Sequence, residues 1–287
     1  EVMRDGAGNC ITVCSMENVD PVGVHTGDSI VVAPAQTLSD KEYQMLRSAA
    51  INIINSIEIK GGCNVQFALD PNSYNYAVIE INPRVSRSSA LASKATGFPI
   101  ALVSAMLAAG LTLKDIECGK YGTLDKYVPD GDYVVIKFAR WAFEKFKGVQ
   151  DKLGTQMRAV GEVMSVGKTY KEAFQKAIRS LEIGRYGLGF AKDFNAKTKE
   201  DLLKLLITPS SERHFIMYEA LRKGATVDEI FEITKVKKYF IEQMKELVDE
   251  EEALIACKGA LPSDAQLISA KKNGFSDKYL SQLLAVS

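Results

Sequence analysis

Hydrophobic and polar positions change rhythm along the 287-residue chain. Early on, β-branched and apolar residues come in short alternating runs bounded by Gly, Asn and Pro, the pattern of strands. Strands are predicted at residues 1–4, 10–17 and 29–33. Ser39-Asp40-Lys41-Glu42 then reads as a capping box, and Leu46, Ala50, Ile53 and Ile57 follow at helical spacing until Gly61-Gly62 ends that region. Two further strands, 64–69 and 76–82, flank a turn-rich loop at 70–75. Strand patterns return at 132–139 and 160–166. Thr169-Tyr170-Lys171-Glu172 reads as a second capping box, opening a helix that runs to Ile183 with Gly184 at its C′ position. Residues 184–196 look like a linker. Beyond it the rhythm is helical: capping signals recur at Thr198, Ser210 or Ser211, Thr226, Ser263 and Ser276, with Gly224, Gly259 and Gly274 at helix ends. The expectation is an α+β fold with an antiparallel sheet over residues 1–184, followed by an all-α domain of about six helices over residues 185–287.

The paired strands carry the candidate chemistry. Strand side chains alternate faces, so Asn64, Gln66 and Ala68 share one face of the first strand, and Tyr76, Val78, Glu80 and Asn82 share one face of the second. Antiparallel pairing about Ser73 sets Gln66 against Glu80 and Asn64 against Asn82, with opposed Cβ atoms about 5 Å apart. One carboxylate and three amide oxygens on one face form a hard-oxygen set suited to Mg²⁺, which completes its shell with phosphate oxygens and water. The plain alternative is the solvent-facing side of an amphipathic hairpin. Against it, Asn and Gln are unusual on an exposed strand face, and Arg84 and Arg87 follow at once in Asn82-Pro83-Arg84-Val85-Ser86-Arg87. Metal-binding oxygens beside two arginines suit a polyphosphate and an anionic substrate. A second candidate is the Gly-framed loop Gly23-Val24-His25-Thr26-Gly27-Asp28-Ser29, in which His25 is either structural or a nucleotide contact.

Two motifs are set aside. Gly161…Gly167-Lys168-Thr169 has five residues between its glycines where a phosphate-binding loop needs four. The glycine-rich run 184–189 follows a helix and not a strand. Composition narrows the rest. With 36 Lys plus Arg against 36 Asp plus Glu, the chain lacks the basic excess of a nucleic-acid binder. Its longest apolar stretch, 98–109, is too short to span a bilayer, and neither a signal peptide nor a polybasic tail is expected. No CxxC pair occurs among the five cysteines. Cys10 and Cys14, on one strand, would stand about 13 Å apart, beyond the roughly 7 Å reach of a disulfide. Reduced thiols in a cytoplasmic protein are expected. The chain opens with Glu1 inside a strand pattern, so it is expected to be a piece cut from a larger protein.

The runs His25-Thr26-Gly27-Asp28-Ser29, Ala33-Pro34-Ala35-Gln36-Thr37-Leu38, Asn64-Val65-Gln66-Phe67-Ala68, Ile79 to Gly97 and Gly161-Glu162-Val163-Met164 together resemble the carbamoyl-phosphate synthetase large-chain family. The resemblance implies the later part of the first ATP-grasp half, followed by the oligomerisation domain. It implies an ATP-dependent ligase of arginine and pyrimidine biosynthesis. That enzyme phosphorylates bicarbonate to carboxyphosphate, takes ammonia from a small glutaminase subunit and phosphorylates the resulting carbamate. Carried over, Gln66, Glu80 and Asn82 resemble Mg²⁺ or Mn²⁺ ligands, and Gln66 and Glu80 also touch ATP. Arg84 and Arg87 resemble the catalytic cations that hold bicarbonate and the transferring phosphoryl group. Gly23, Val24 and His25 resemble nucleotide contacts near a K⁺ site. The remainder of the large chain would supply the other lobe, so the fragment is expected to be inactive alone. Two alternatives stand beside this reading: a helical self-association module, and another ATP-grasp ligase such as a biotin-dependent carboxylase.

Overall fold

A computed structural model describes residues 1–145, 147–190 and 194–286. The chain divides into two compact units, one of residues 1–17 and 33–132, the other of residues 18–32 and 133–287.

In chain order, β1 (Val2–Arg4) and β2 (Cys10–Thr12) open the first unit, and β3 (Glu17–Asn18) and β4 (Val31–Ala33) mark the first two of the three passages of the chain between units. Helix α1 (Asp40–Ser56) follows, then β5 (Gly61–Leu69), β6 (Tyr76–Asn82), α2 (Arg87–Thr96), α3 (Ile100–Ala108) and the short pair β7 (Glu117–Cys118) and β8 (Gly122–Thr123). The main sheet has the order β2-β1-β5-β6, antiparallel throughout, with Val2 opposite both Thr12 and Cys63. Val2, Ala50, Ile54 and Cys63 form its buried core, onto which Val65, Phe67 and Ile81 pack. The Ser39 capping box forms as expected: its hydroxyl accepts from the Glu42 amide, and the Glu42 carboxylate accepts from the Ser39 amide at 2.7 Å.

Three expectations are corrected here. Gly61 and Gly62 do not end a region; they lie inside β5, opposite Arg4 and Met3. A Cβ on Gly62 would come within 3.3 Å of Ser104 Oγ and 3.4 Å of Ile100, so its bareness admits α3 against the sheet. The strand expected over 10–17 stops at Thr12. Helices α2 and α3 were not expected at all. Among the described residues no single helix is long and apolar enough to cross a membrane.

The second unit adds β9 (Val134–Arg140), β10 (Gly161–Gly167) and α4 (Tyr170–Ser180), in a sheet ordered β10-β9-β4-β3. Every residue of β9 from Val134 to Ala139 is buried. Helix α4 lays Tyr170, Ala173, Phe174, Ala177 and Ile178 inward at helical spacing. It is only half of the expected capping box: Thr169 accepts from the Glu172 amide, but the Glu172 carboxylate takes the Lys168 amide at 2.6 Å, and the helix ends at Ser180. A Cβ on Gly167 would lie 2.6 Å from the Ala173 nitrogen, so this glycine serves close packing of strand end against helix. Six helices follow: α5 (Lys199–Leu206), α6 (Arg213–Arg222), α7 (Val227–Thr234), α8 (Lys238–Ile255), α9 (Asp264–Lys272) and α10 (Asp277–Leu284).

One hydrophobic cluster joins the sheet to these helices, from Val32, Ile136 and Phe138 through Phe174 to Phe215, Ile241, Leu247 and Tyr279. Contacts therefore divide the chain elsewhere than at the composition change after Gly184. Nor do residues 184–190 behave as a linker; 191–193 lie outside the described residues. Leu188 is buried, and a Cβ on Gly187 would sit 2.3 Å from the Tyr279 ring. Gly189 packs on Glu251 and the Tyr279 hydroxyl. Glu251 occupies a core position of α8 and accepts from Tyr218 at 2.7 Å and Tyr279 at 2.6 Å. Burial pushes its carboxyl up from its ordinary value.

Helix α6 opens with a second buried polar group. Arg213 donates through Nε and Nη2 to the two carboxylate oxygens of Asp20. Burial raises the Asp20 carboxyl, but the Arg213 charge and its hydrogen bonds outweigh that and hold it at about 2. His214, wedged against Phe138 and Phe174, has no hydrogen-bond partner on either nitrogen among the described residues. Burial, and then the Arg213 charge, push it down to about 3.

Two predictions follow from this packing. His214 stays neutral when folded but takes a proton below about pH 6.5 when unfolded. The unfolded state then binds more protons, so stability falls as pH drops from about 6.5 towards 3, by up to about 1.4 kcal/mol per pH unit. Urea unfolding of His214→Leu between about pH 7 and pH 5 should show that slope flattened; an unchanged slope assigns the acid loss to other groups. Separately, Gly187→Ala should cost about 1–3 kcal/mol by overpacking against Tyr279, while Gly161→Ala, with open space at its Cβ, should be nearly neutral in the same assay.

Candidate functional site

In the first unit, the register of β5 and β6 brings the expected residues together. Gln66 stands opposite Glu80, and Asn64 opposite Asn82. Val65, Phe67 and Ile81 pack towards the core, so the amide and carboxylate set takes the other face. Glu80 is exposed and Gln66 half-buried. A bulge between Gln66 and Phe67 then shifts the pairing, so that Phe67 faces Val78 and Leu69 faces Tyr76. The expectation that Tyr76 and Val78 share a face with Glu80 is therefore corrected. Ile79 is the extra residue, and Tyr76 joins Phe67 edge to face, with ring centroids 5.5 Å apart.

The three amides are not equivalent. Asn64 donates through Nδ2 to the Glu1 carboxylate at 3.3 Å, and the other Glu1 oxygen accepts from Ser89 Oγ at 2.7 Å. Asn64 is thus tied through its Nδ2 and Glu1 to Ser89 of helix α2. Asn82 Oδ1 accepts from Arg84 Nη2 at 3.3 Å. Gln66 and Glu80, directly opposed across the strands, make no side-chain hydrogen bond to another described residue. Pro83 ends the strand, and the Arg84 amide folds back onto the Asn82 carbonyl at 2.8 Å. Ser86 caps α2 by a reciprocal capping box with Ser89, which places Arg87 at the first helical position. Arg84 and Arg87 are both exposed. No group of three His, Cys, Asp or Glu side chains that could hold a metal occurs among the described residues. The hairpin set has one carboxylate with neutral oxygens beside it. It fits a hard divalent ion that takes its remaining ligands from phosphate and water, and it does not make an all-protein metal cage.

In the second unit, Gly23 is exposed with φ +115°, a left-handed conformation suited to glycine. The Val24 side chain is buried in the core, so only its backbone can meet a ligand. His25 Nδ1 accepts from the Gly27 amide at 2.9 Å, which leaves Nε2 as the ring's donor. The His25 carbonyl is taken by the amides of Asp28 and Ser29 at 2.8 and 3.0 Å. All five cysteines are free thiols, and burial pushes Cys14 and Cys63 up to about 11. The roles of Glu1 and Ser89 were not anticipated, because their partners lie 63 to 88 residues away along the chain.

Comparison with known proteins bears on this arrangement. Residues 1–116 match the model of the carbamoyl-phosphate synthase L chain, ATP binding domain, and residues 162–287 match that of the carbamoyl-phosphate synthetase large chain, oligomerisation domain. A nucleotide-binding α+β segment followed by a helical assembly segment defines the class. The chain belongs to the carbamoyl-phosphate synthase large-chain family. It is 57% identical over 288 residues to the carbamoyl phosphate synthase large chain of Clostridium botulinum (strain Loch Maree). It is 54% identical over 291 residues to that of Clostridium perfringens (strain SM101). Each alignment takes in all of this chain and 27% of the relative, so the chain spans about a quarter of the length of the relatives it matches. Among solved structures, the biotin carboxylase domain of a thermophilic 2-oxoglutarate carboxylase bound to bicarbonate aligns with TM-score 0.49 and 14% identity, over 86% of this chain and 54% of that one. A likeness that slight carries no argument for the carboxylase alternative.

Proposed function

We propose that this chain supplies the metal and phosphate side of an ATP-grasp site that converts bicarbonate to carboxyphosphate, within a longer carbamoyl-phosphate synthetase large chain. The observation that carries the reading is the cross-strand pairing of Gln66 with Glu80, with Asn82, Arg84 and Arg87 directly downstream. Gln66, Glu80 and Asn82 would hold Mg²⁺ or Mn²⁺, which on binding neutralises charge on the ATP phosphates. Arg84 and Arg87 bind the bicarbonate and the transferring phosphoryl group, where positioning and charge neutralisation matter more than a nucleophilic side chain. Gly23 and Val24 offer backbone, and His25 its Nε2 donor, to the nucleotide near a K⁺ site. The complete enzyme would take ammonia from a small glutaminase subunit and supply arginine and pyrimidine synthesis in the cytoplasm, a setting that suits five unpaired thiols. The fragment alone would be inactive, since the rest of the large chain completes the site.

The match of residues 162–287 to an oligomerisation domain supports self-association through the helical part. Sedimentation of the 287-residue chain should then depend on concentration; a strict monomer at high concentration would remove that role. For the chemistry, Glu80→Gln in the complete parent enzyme should lower bicarbonate-dependent ATP turnover by roughly 100-fold or more and weaken Mg·ATP binding by calorimetry. Unchanged affinity together with unchanged turnover would refute the metal role.

A further inference from the structure

We infer that Asp28 is a positioning residue for the nucleotide: its buried carboxylate ties the loop 23–29 to a second stretch, 154–159, and so fixes where His25 presents its ring. The inference rests on the reading of Gly23, Val24 and His25 as nucleotide contacts. Asp28 is fully buried. Its Oδ1 accepts from Trp141 Nε1 at 3.0 Å and from the Ala159 amide at 2.6 Å, and the Arg158 amide donates to Oδ2 at 2.8 Å and to Oδ1 at 3.1 Å. Three N–H groups thus converge on one carboxylate, and two of them belong to the backbone of the second stretch.

Other bonds hold the same two pieces. The His25 amide donates to the Gly154 carbonyl at 2.8 Å. The buried Lys137 donates from β9 to the carbonyls of Thr26 at 2.7 Å and Gly27 at 3.3 Å. Met157 lies directly over Gly27, where a Cβ would meet its Sδ at 2.6 Å. The Asp28 amide in turn donates to the His25 carbonyl. His25 is therefore fixed through its amide, its carbonyl and its Nδ1, and Asp28 joins the two pieces: its backbone amide holds the His25 carbonyl while its carboxylate takes the amides of the facing stretch. Asn at this position keeps the shape but turns an NH₂ towards N–H donors, so at least one buried donor is left unpaired. The two stretches then part, and the His25 ring loses its fixed place.

The test uses the complete parent enzyme and reads bicarbonate-dependent ATP hydrolysis. Asp28→Asn should raise KM for ATP by about tenfold, the size expected for one unpaired buried donor, with kcat changed by less than about threefold. Trp141→Phe removes a single donor, leaves the ring packing in place, and should raise KM in the same direction by about threefold; it decides the matter if Asp28→Asn does not fold. His25→Ala separates the two ideas. If His25→Ala raises KM for ATP while the folded Asp28 or Trp141 variant leaves it unchanged, the positioning inference is overturned and the nucleotide reading survives. If His25→Ala also leaves KM unchanged, the nucleotide reading of this loop itself fails. A loss of thermal stability in the Asp28 and Trp141 variants with no change in KM would make the carboxylate structural only, which also overturns the inference.

Discussion

The antiparallel register of β5 and β6 decides what chemistry the first unit can offer. Because strand side chains alternate with period two, a slip of one residue would send Gln66 and Glu80 to opposite faces and bury the carboxylate against Val65 and Phe67. The register is held on the core side, where Phe67, Val65 and Ile81 need cover, and at the far end by the Asp70–Asn75 turn, in which Asp70 and Ser73 take up local backbone and side-chain donors. The bulge at Ile79 adds a second consequence. It confines the polar pairing to the half of the hairpin next to Pro83 and gives the distal half to Tyr76, Val78 and Phe67. Polar oxygens are thereby concentrated at the end of the hairpin that leads into Arg84 and Arg87.

The second unit is organised by buried charge more than by strand alternation. Asp20 and Asp28 lie in one segment of fewer than ten residues, and both are satisfied by partners more than a hundred residues away along the chain: Arg213 for the first, Trp141, Arg158 and Ala159 for the second. A buried carboxylate without such partners would cost several kcal/mol, so the loop cannot take its conformation until β9, the stretch before β10 and the start of α6 are in place. Arg213 also reaches the Asp28 carbonyl at 3.5 Å and lies 5.5 Å from the Trp141 ring, which links the two carboxylates into one connected set.

Local patterns were legible in the sequence where local physics sets the outcome. The Ser39 capping box, the pairing of Gln66 with Glu80 and the succession of helices after residue 198 each follow from a few neighbouring residues. Features set by distant parts of the chain were not. Glycines at 187 and 189 look like freedom when read along the sequence, yet they are there because Tyr279 and Glu251 leave no room for a Cβ. The bulge at Ile79 has no sequence signature of its own. Helix α2 mixes four buried small or apolar positions with serines and lacks the clear apolar stripe that periodicity detects. The long-range side-chain partners of Glu1, Asp20 and Asp28 lie from 63 to 193 residues away, beyond any motif.

The continuity of the core in the second unit changes how the helical part should be regarded. Its match to the oligomerisation domain begins at residue 162, inside β10, and not at the glycine-rich segment where composition changes. Helix α4 covers the β9–β10 sheet, and Phe138 meets Phe174 and His214 in the same cluster that contains Phe215, Ile241 and Tyr279. β9 is buried along almost its whole length, and a strand buried in that way is stable only with its covering layers present. Helices α5 to α10 therefore complete the fold of the sheet that carries the His25 loop. A change that loosens their packing would reach that loop through Arg213 and Asp20.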